Sequence, residues 1–83
     1  MRKVVVLKAA VKALARMPRT TAALIISKIE QYAKDPASLA NNVLKLQGRA
    51  GYRLRVGDWR VVFDDDGVVM TIEKVAPRGN AYE

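Results

Sequence analysis

The apolar residues of the chain change period along its length, and each change marks an element. Val4-Val5-Val6-Leu7 is a β-branched run too short for a helix and reads as a strand buried on both faces. From Lys8 to Met17 the spacing becomes helical: Ala10, Val11, Leu14 and Met17 share one side, and Lys12 and Arg16, four apart, share the solvent side. Pro18 stops that helix. Thr20 or Thr21 then stands where a second helix would be capped, with Ala22, Ile25, Ile26, Ile29, Tyr32 and Ala33 as one apolar stripe ended by Asp35-Pro36. Two helices joined around a proline predict an αα-hairpin, which needs a sheet to cover. Residues 37–51 are rich in Ser, Asn and Gly and read as a surface loop, with Leu44-Lys45-Leu46 as its one ordered piece.

From Tyr52 onward the period is two, which predicts a three-stranded meander over Tyr52–Val56, Trp59–Phe63 and Val68–Val75. With Gly57-Asp58 as a two-residue turn, Val56 faces Trp59, Arg55 faces Arg60, Leu54 faces Val61 and Arg53 faces Val62. This register puts Tyr52, Leu54, Val56, Trp59, Val61 and Phe63 on one face and Arg53, Arg55 and Arg60 on the other. Reading Asp66-Gly67 as a type I′ turn pairs Phe63 with Met70 and Val61 with Ile72, and sets Glu73 opposite Arg60. The expectation is a single α+β domain over residues 1–83. It consists of an N-terminal strand, an αα-hairpin and a three-stranded antiparallel meander, with the helices packed on one face of a small, mainly antiparallel sheet.

Composition narrows the chemistry. The 83 residues are 51% hydrophobic and 28% charged, enough apolar material for one core and too little chain for two. There is no cysteine and no histidine, which removes disulfides, thiolate nucleophiles, serine-histidine triads and histidine or cysteine metal centres. No metal or cofactor is expected. Fifteen Lys and Arg against eight Asp and Glu give a net charge of +7, suited to a polyanionic partner. Residues 1–34 carry eight bases and only Glu30 as an acid, so the first half holds the excess. Lys8 and Lys12 interrupt the apolar start too early for a signal peptide, and no run is long enough to span a membrane. A cytoplasmic protein is expected.

The arginine face is the candidate site. Arg55 and Arg60 directly across a strand pair have Cβ atoms about 5 Å apart, where like charges repel, so an anion is expected between them. The plainer reading is an Arg60–Glu73 surface pair. Three arginines against one glutamate nevertheless leave guanidinium forks for a phosphate. Asp64-Asp65-Asp66-Gly67 looks like the start of a calcium loop but has no glutamate at its twelfth position and reads as a solvated turn. Lys8, Lys12 and Arg16 read as a solvated helix face that could also touch a nucleic-acid backbone.

The string Tyr52-Arg53-Leu54-Arg55-Val56-Gly57-Asp58-Trp59-Arg60, followed by Val75-Ala76-Pro77-Arg78-Gly79-Asn80-Ala81-Tyr82, resembles the RelE/ParE toxins of bacterial type II toxin-antitoxin modules. The resemblance runs over nearly the whole chain. Its RelE branch implies metal-independent cleavage of messenger RNA on the ribosome; its ParE branch, with the same fold, implies inhibition of DNA gyrase. Under the RelE reading Arg53, Arg55, Arg60, Arg78 and Tyr82 are the implied catalytic residues, and Lys45, Arg53, Arg55 and Arg60 the implied RNA-binding ones. A cognate antitoxin with an acidic, partly helical segment is the implied partner in a hetero-oligomer, alongside ribosome and mRNA.

Two departures from the RelE pattern bear on mechanism. Arginine stands at 53 and 55 where the family's nucleases carry lysine. An arginine stays protonated, so it stabilises phosphorane charge but takes no proton, and Tyr82 is left as the base. Neighbouring guanidinium groups pull a phenol down from its ordinary pKa of about 10. Ala76 replaces a further family arginine, leaving Arg78 as the one guanidinium of the tail. The implied reaction is attack of a 2′-OH on the adjacent phosphate. A non-enzymatic RNA-binding module is the remaining alternative, weakened by the few aromatic residues available for stacking.

Overall fold

The computed structural model describes residues 1–80. The elements in chain order are β1 (Lys3–Val6), α1 (Lys8–Arg16), α2 (Arg19–Lys34), a 3-10 helix (Pro36–Asn42), β2 (Val43–Lys45), β3 (Tyr52–Val56), β4 (Trp59–Asp65), β5 (Val69–Pro77) and a 3-10 turn (Arg78–Asn80). The five strands form one sheet in the order β1-β5-β4-β3-β2, antiparallel except for the parallel β1–β5 pair. This is the expected α+β arrangement with one more strand. Among the described residues no helix is long and apolar enough to cross a membrane.

The helices cover the face that the period-two pattern makes apolar. Ile25, Ile29, Tyr32 and Ala33 of α2 and Ala10 of α1 pack with Leu54, Val56, Val61, Phe63, Met70, Ile72 and Val75 from the sheet. Phe63 is fully buried, meets Tyr32 edge-on with ring centroids 4.8 Å apart, and stacks on Tyr52 at 5.6 Å.

Four sequence expectations change. Val4–Leu7 is not buried on both faces: β1 is an edge strand with one neighbour, and Val5, Val6 and Leu7 are exposed. Neither Thr20 nor Thr21 caps α2. The Pro18 carbonyl already accepts the Ala22 N–H at 3.0 Å, so the first helical bond begins before either threonine. Residues 37–51 are not all loop, because Leu39, Val43 and Leu46 recur at spacings of four and three through the polar stretch. Leu39 and Leu46 are buried, Val43 packs against the core, and Val43–Lys45 pairs with β3.

The fourth change concerns β5. Its register with β4 is displaced from the expected one: Phe63 faces Ile72, Val62 faces Lys74 and Val61 faces Val75, leaving Glu73 as the extra residue of a β-bulge. The connection is wider than a two-residue turn. Asp65 Oδ1 accepts the Gly67 N–H at 2.9 Å, and Asp66 Oδ1 accepts those of Val68 and Val69 at 2.9 and 2.7 Å. These side-chain bonds add to one backbone bond across the connection, from the Asp66 N–H to the Val69 carbonyl at 3.3 Å. Asp66 has no positive φ, which a type I′ turn would require.

Asp65 also ties distant parts of the chain together. Its carboxylate accepts the Arg2 Nε–H at 2.6 Å and the Tyr32 hydroxyl at 2.8 Å, joining the N-terminus, α2 and the β4–β5 connection. Burial opposes ionisation of Asp65, but the Gly67 N–H, the Arg2 guanidinium and the Tyr32 hydroxyl outweigh it and hold its pKa below the ordinary value. Burial, with the bond to Asp65, pushes the Tyr32 phenol up to about 12.

Two predictions follow from these contacts. Between pH about 10 and 12 the unfolded chain gives up the Tyr32 proton while the folded chain keeps it, so this residue's contribution to stability falls as pH rises through that window. Tyr32→Phe should cost about 1–3 kcal/mol at pH 7, read by urea unfolding, and should make the loss of stability from pH 10 to 12 shallower. Gly51 enters β3 at φ +116°, where an added Cβ would lie 3.0 Å from the Phe63 carbonyl oxygen. Gly51→Ala should cost about 2 kcal/mol or more in the same measurement, because a paired backbone oxygen cannot move aside.

Candidate nucleic-acid interface

The pleat that buries one side of β3 and β4 raises the other. Tyr52↔Phe63, Leu54↔Val61 and Val56↔Trp59 face the helices, while Arg53↔Val62 and Arg55↔Arg60 face away, in the register expected from sequence. The Gly57-Asp58 turn that fixes it has φ +57° at Gly57 and no positive φ at Asp58, the pattern of a type II′ turn.

The bulge changes what stands beside the arginines. Arg60 faces Ala76 on β5 rather than Glu73, whose carboxylate is held by Arg49 at 2.7 Å. The row through the like-charged pair therefore reads Arg55, Arg60, Ala76, with no carboxylate in it. The next row reads Leu44, Arg53, Val62, Lys74. Val62, in this row, is 1% exposed.

Arg53, Arg55 and Arg60 line one cavity of about 190 Å3 together with Asn41, Asn42 and Leu44. Arg60 Nη1 donates to the carbonyls of Gly57 and Trp59, each at 2.9 Å, so the hairpin holds this guanidinium at a fixed angle. A planar, permanently charged fork held in this way suits the oxygens of a phosphate.

The other expected site residues divide. The Arg78 backbone N–H donates to the Asp58 carbonyl at 2.8 Å, which fastens the turn after β5 to the hairpin that carries Arg55 and Arg60. Lys45 faces Tyr52, so the register assigns it to the helix-covered face and not to the arginine side; Leu44 takes the position beside Arg53. Tyr82 lies outside the described residues. Asn41, Asn42 and Leu44 line the cavity but carry no signal in the sequence: the asparagines end a polar stretch without periodicity, and Leu44 shows its face only once β2 is paired.

No protein-family model matches the chain, and no curated protein does. Solved structures do. A chain of the archaeal RelE-RelB complex from Pyrococcus horikoshii is 30% identical, with 96% of this chain and 98% of that one covered and a TM-score of 0.77. A chain of the intact RelBE toxin-antitoxin complex of Escherichia coli gives 20% identity, 93% and 96% coverage and a TM-score of 0.75. A chain of the RelBE2 complex of Mycobacterium tuberculosis gives 17%, 93%, 98% and 0.78. The last two show the shared fold alone. The archaeal relative, matched end to end, shows more: the chain belongs to the RelE-like toxins of toxin-antitoxin modules.

Proposed function

We propose that this toxin is a ribosome-dependent endoribonuclease that cuts messenger RNA without a metal and is neutralised by a cognate antitoxin. The observation that carries the reading is the cavity shared by Arg53, Arg55 and Arg60, with no carboxylate in the row of the facing pair. In the reaction a 2′-OH attacks the neighbouring phosphorus and its proton passes to Tyr82. The bond from phosphorus to the 5′ oxygen breaks, leaving a 2′,3′-cyclic phosphate and a 5′-hydroxyl protonated from water. Arg53, Arg55 and Arg60 stabilise the charge that builds on the phosphorane oxygens, and Arg78 adds a cation from the tail. With no histidine in the chain, positioning and charge supply most of the rate, and the ribosome contributes by holding the message in line for attack.

The antitoxin reading rests on the neighbouring structures, which are complexes with RelB, and on two surface features. The net charge of +7 favours an acidic partner. An open apolar groove of about 580 Å3 lies between β1, α1 and α2, where Val6, Val11 and Ile26 are exposed. Apolar side chains of a segment that folds on binding would fill it.

Two experiments test the function. On induction of the wild-type chain, 5′ ends mapped within minutes should show new cuts in translated messages, and these should disappear with Arg60→Ala and with Tyr82→Ala while circular dichroism stays unchanged. Growth arrest with no new cuts would instead indicate gyrase inhibition. Ile26→Glu should leave toxicity intact and weaken neutralisation by the co-expressed antitoxin about tenfold or more, measured as the antitoxin dose that restores growth.

A further inference from the structure

The cavity on the arginine side has two unlike walls. One wall is Arg53, Arg55 and Arg60, which offer only donors and positive charge. The rest of the lining is Asn41 and Asn42, at the end of the 3-10 helix, with Leu44 on β2. The polar groups of this second wall are uncharged, and a phosphate, which only accepts, uses their N–H donors and leaves their acceptor oxygens unused. Each carboxamide presents an acceptor and a donor side by side, the pair needed to meet the edge of a nucleobase. Leu44 is 63% exposed, an apolar surface beside Arg53 on a face otherwise dominated by charge. Single-stranded RNA is read in this way, with base edges hydrogen-bonded and base faces laid on flat or apolar side chains. The volume, about 190 Å3, is below the roughly 300 Å3 at which enclosed small-molecule sites begin, a size that suits part of a polymer better than a whole free ligand.

Resting on the nuclease reading above, we infer that Asn41, Asn42 and Leu44 form a base-reading wall, selecting the nucleotide whose phosphate the three arginines hold. The fold gives the wall its position. Val43 faces Leu54 on the helix side, which turns Leu44 toward Arg53, and the 3-10 helix delivers the two asparagines at the end of the same edge strand. Phosphate grip and base choice are thereby carried by different elements, β3 and β4 for the first and the 3-10 helix with β2 for the second. The arginines set how fast any site is cut; the asparagines set which sites are cut.

The test is to map 5′ ends after induction of wild type, Asn41→Ala/Asn42→Ala and Leu44→Ala, and to compare nucleotide frequencies on either side of each cut. The double variant should lose about tenfold of the preference at one position adjacent to the cut, the discrimination of one good carboxamide–base pair, while total cutting stays within about threefold. Leu44→Ala should weaken the same preference. The single variants Asn41→Ser and Asn42→Ser, read identically, decide the matter if the double variant does not fold. Unchanged nucleotide frequencies in folded variants that still cut would overturn the assignment and leave the nuclease reading standing. Loss of all cutting in folded variants would also overturn it, by making the asparagines part of the phosphate grip. A wild-type chain that makes no cuts would overturn both readings together.

Discussion

The structure depends on the alternation of β3 and β4. Leu54, Val56, Val61 and Phe63 are at most 5% exposed, and burial of each contributes about 1.5–3 kcal/mol. Because neighbours on a strand point to opposite sides, sinking these four under the helices forces Arg53, Arg55 and Arg60 out on the other side, two of them face to face. The repulsion between a directly opposed like-charged pair is on the order of 0.2–1 kcal/mol, less than the burial of one core residue. The core wins, and a concentrated positive surface is its by-product. A single-residue slip in register would disperse the charge only by exposing the core, so the positively charged face is as secure as the fold itself.

How much of this could be read from the sequence follows from which signals are local. The first hairpin was legible to the residue, since Gly57-Asp58 fixes the turn and both flanking strands alternate cleanly. The second was not. Asp65 and Asp66 add carboxylate hydrogen bonds to the turn, and Glu73 is squeezed out as a bulge, so pairing shifts: Met70 and Ile72 still reach the core, and Val75 takes the place there that strict alternation would give Lys74. Only long-range packing decides such a shift. The same holds at the edges: β1 reads as a buried strand because its residues are β-branched, and nothing local reveals that it has a neighbour on one side only. Of the site, the arginines were legible because they sit on the regular hairpin. The facing asparagines were not, because their place depends on how β2 pairs with β3.

Asp65 supplies the second organising contact. A carboxylate in the first place where the chain would expose it to solvent instead gathers a guanidinium, a phenol and a backbone N–H from three separate regions. Each partner removes part of the cost of burying its charge. The aspartate run therefore has two functions within three residues: Asp66 closes the connection to β5, and Asp65 anchors the N-terminus and α2 against the end of β4.

That anchoring has a consequence for the order in which the protein is made. Strand β1 is synthesised first, yet its one sheet neighbour is β5, with Lys3 beside Val69, and Arg2 reaches its carboxylate 63 positions along the chain. A polypeptide emerging from its amino end holds β1 without its sheet neighbour and the Arg2 side chain without its carboxylate until most of the described fold has been translated. Closure of the sheet is thus a late, long-range step, and the arginine hairpin lies in the last half of the chain to emerge. A chain with this topology closes its sheet only once β5 has left the ribosome.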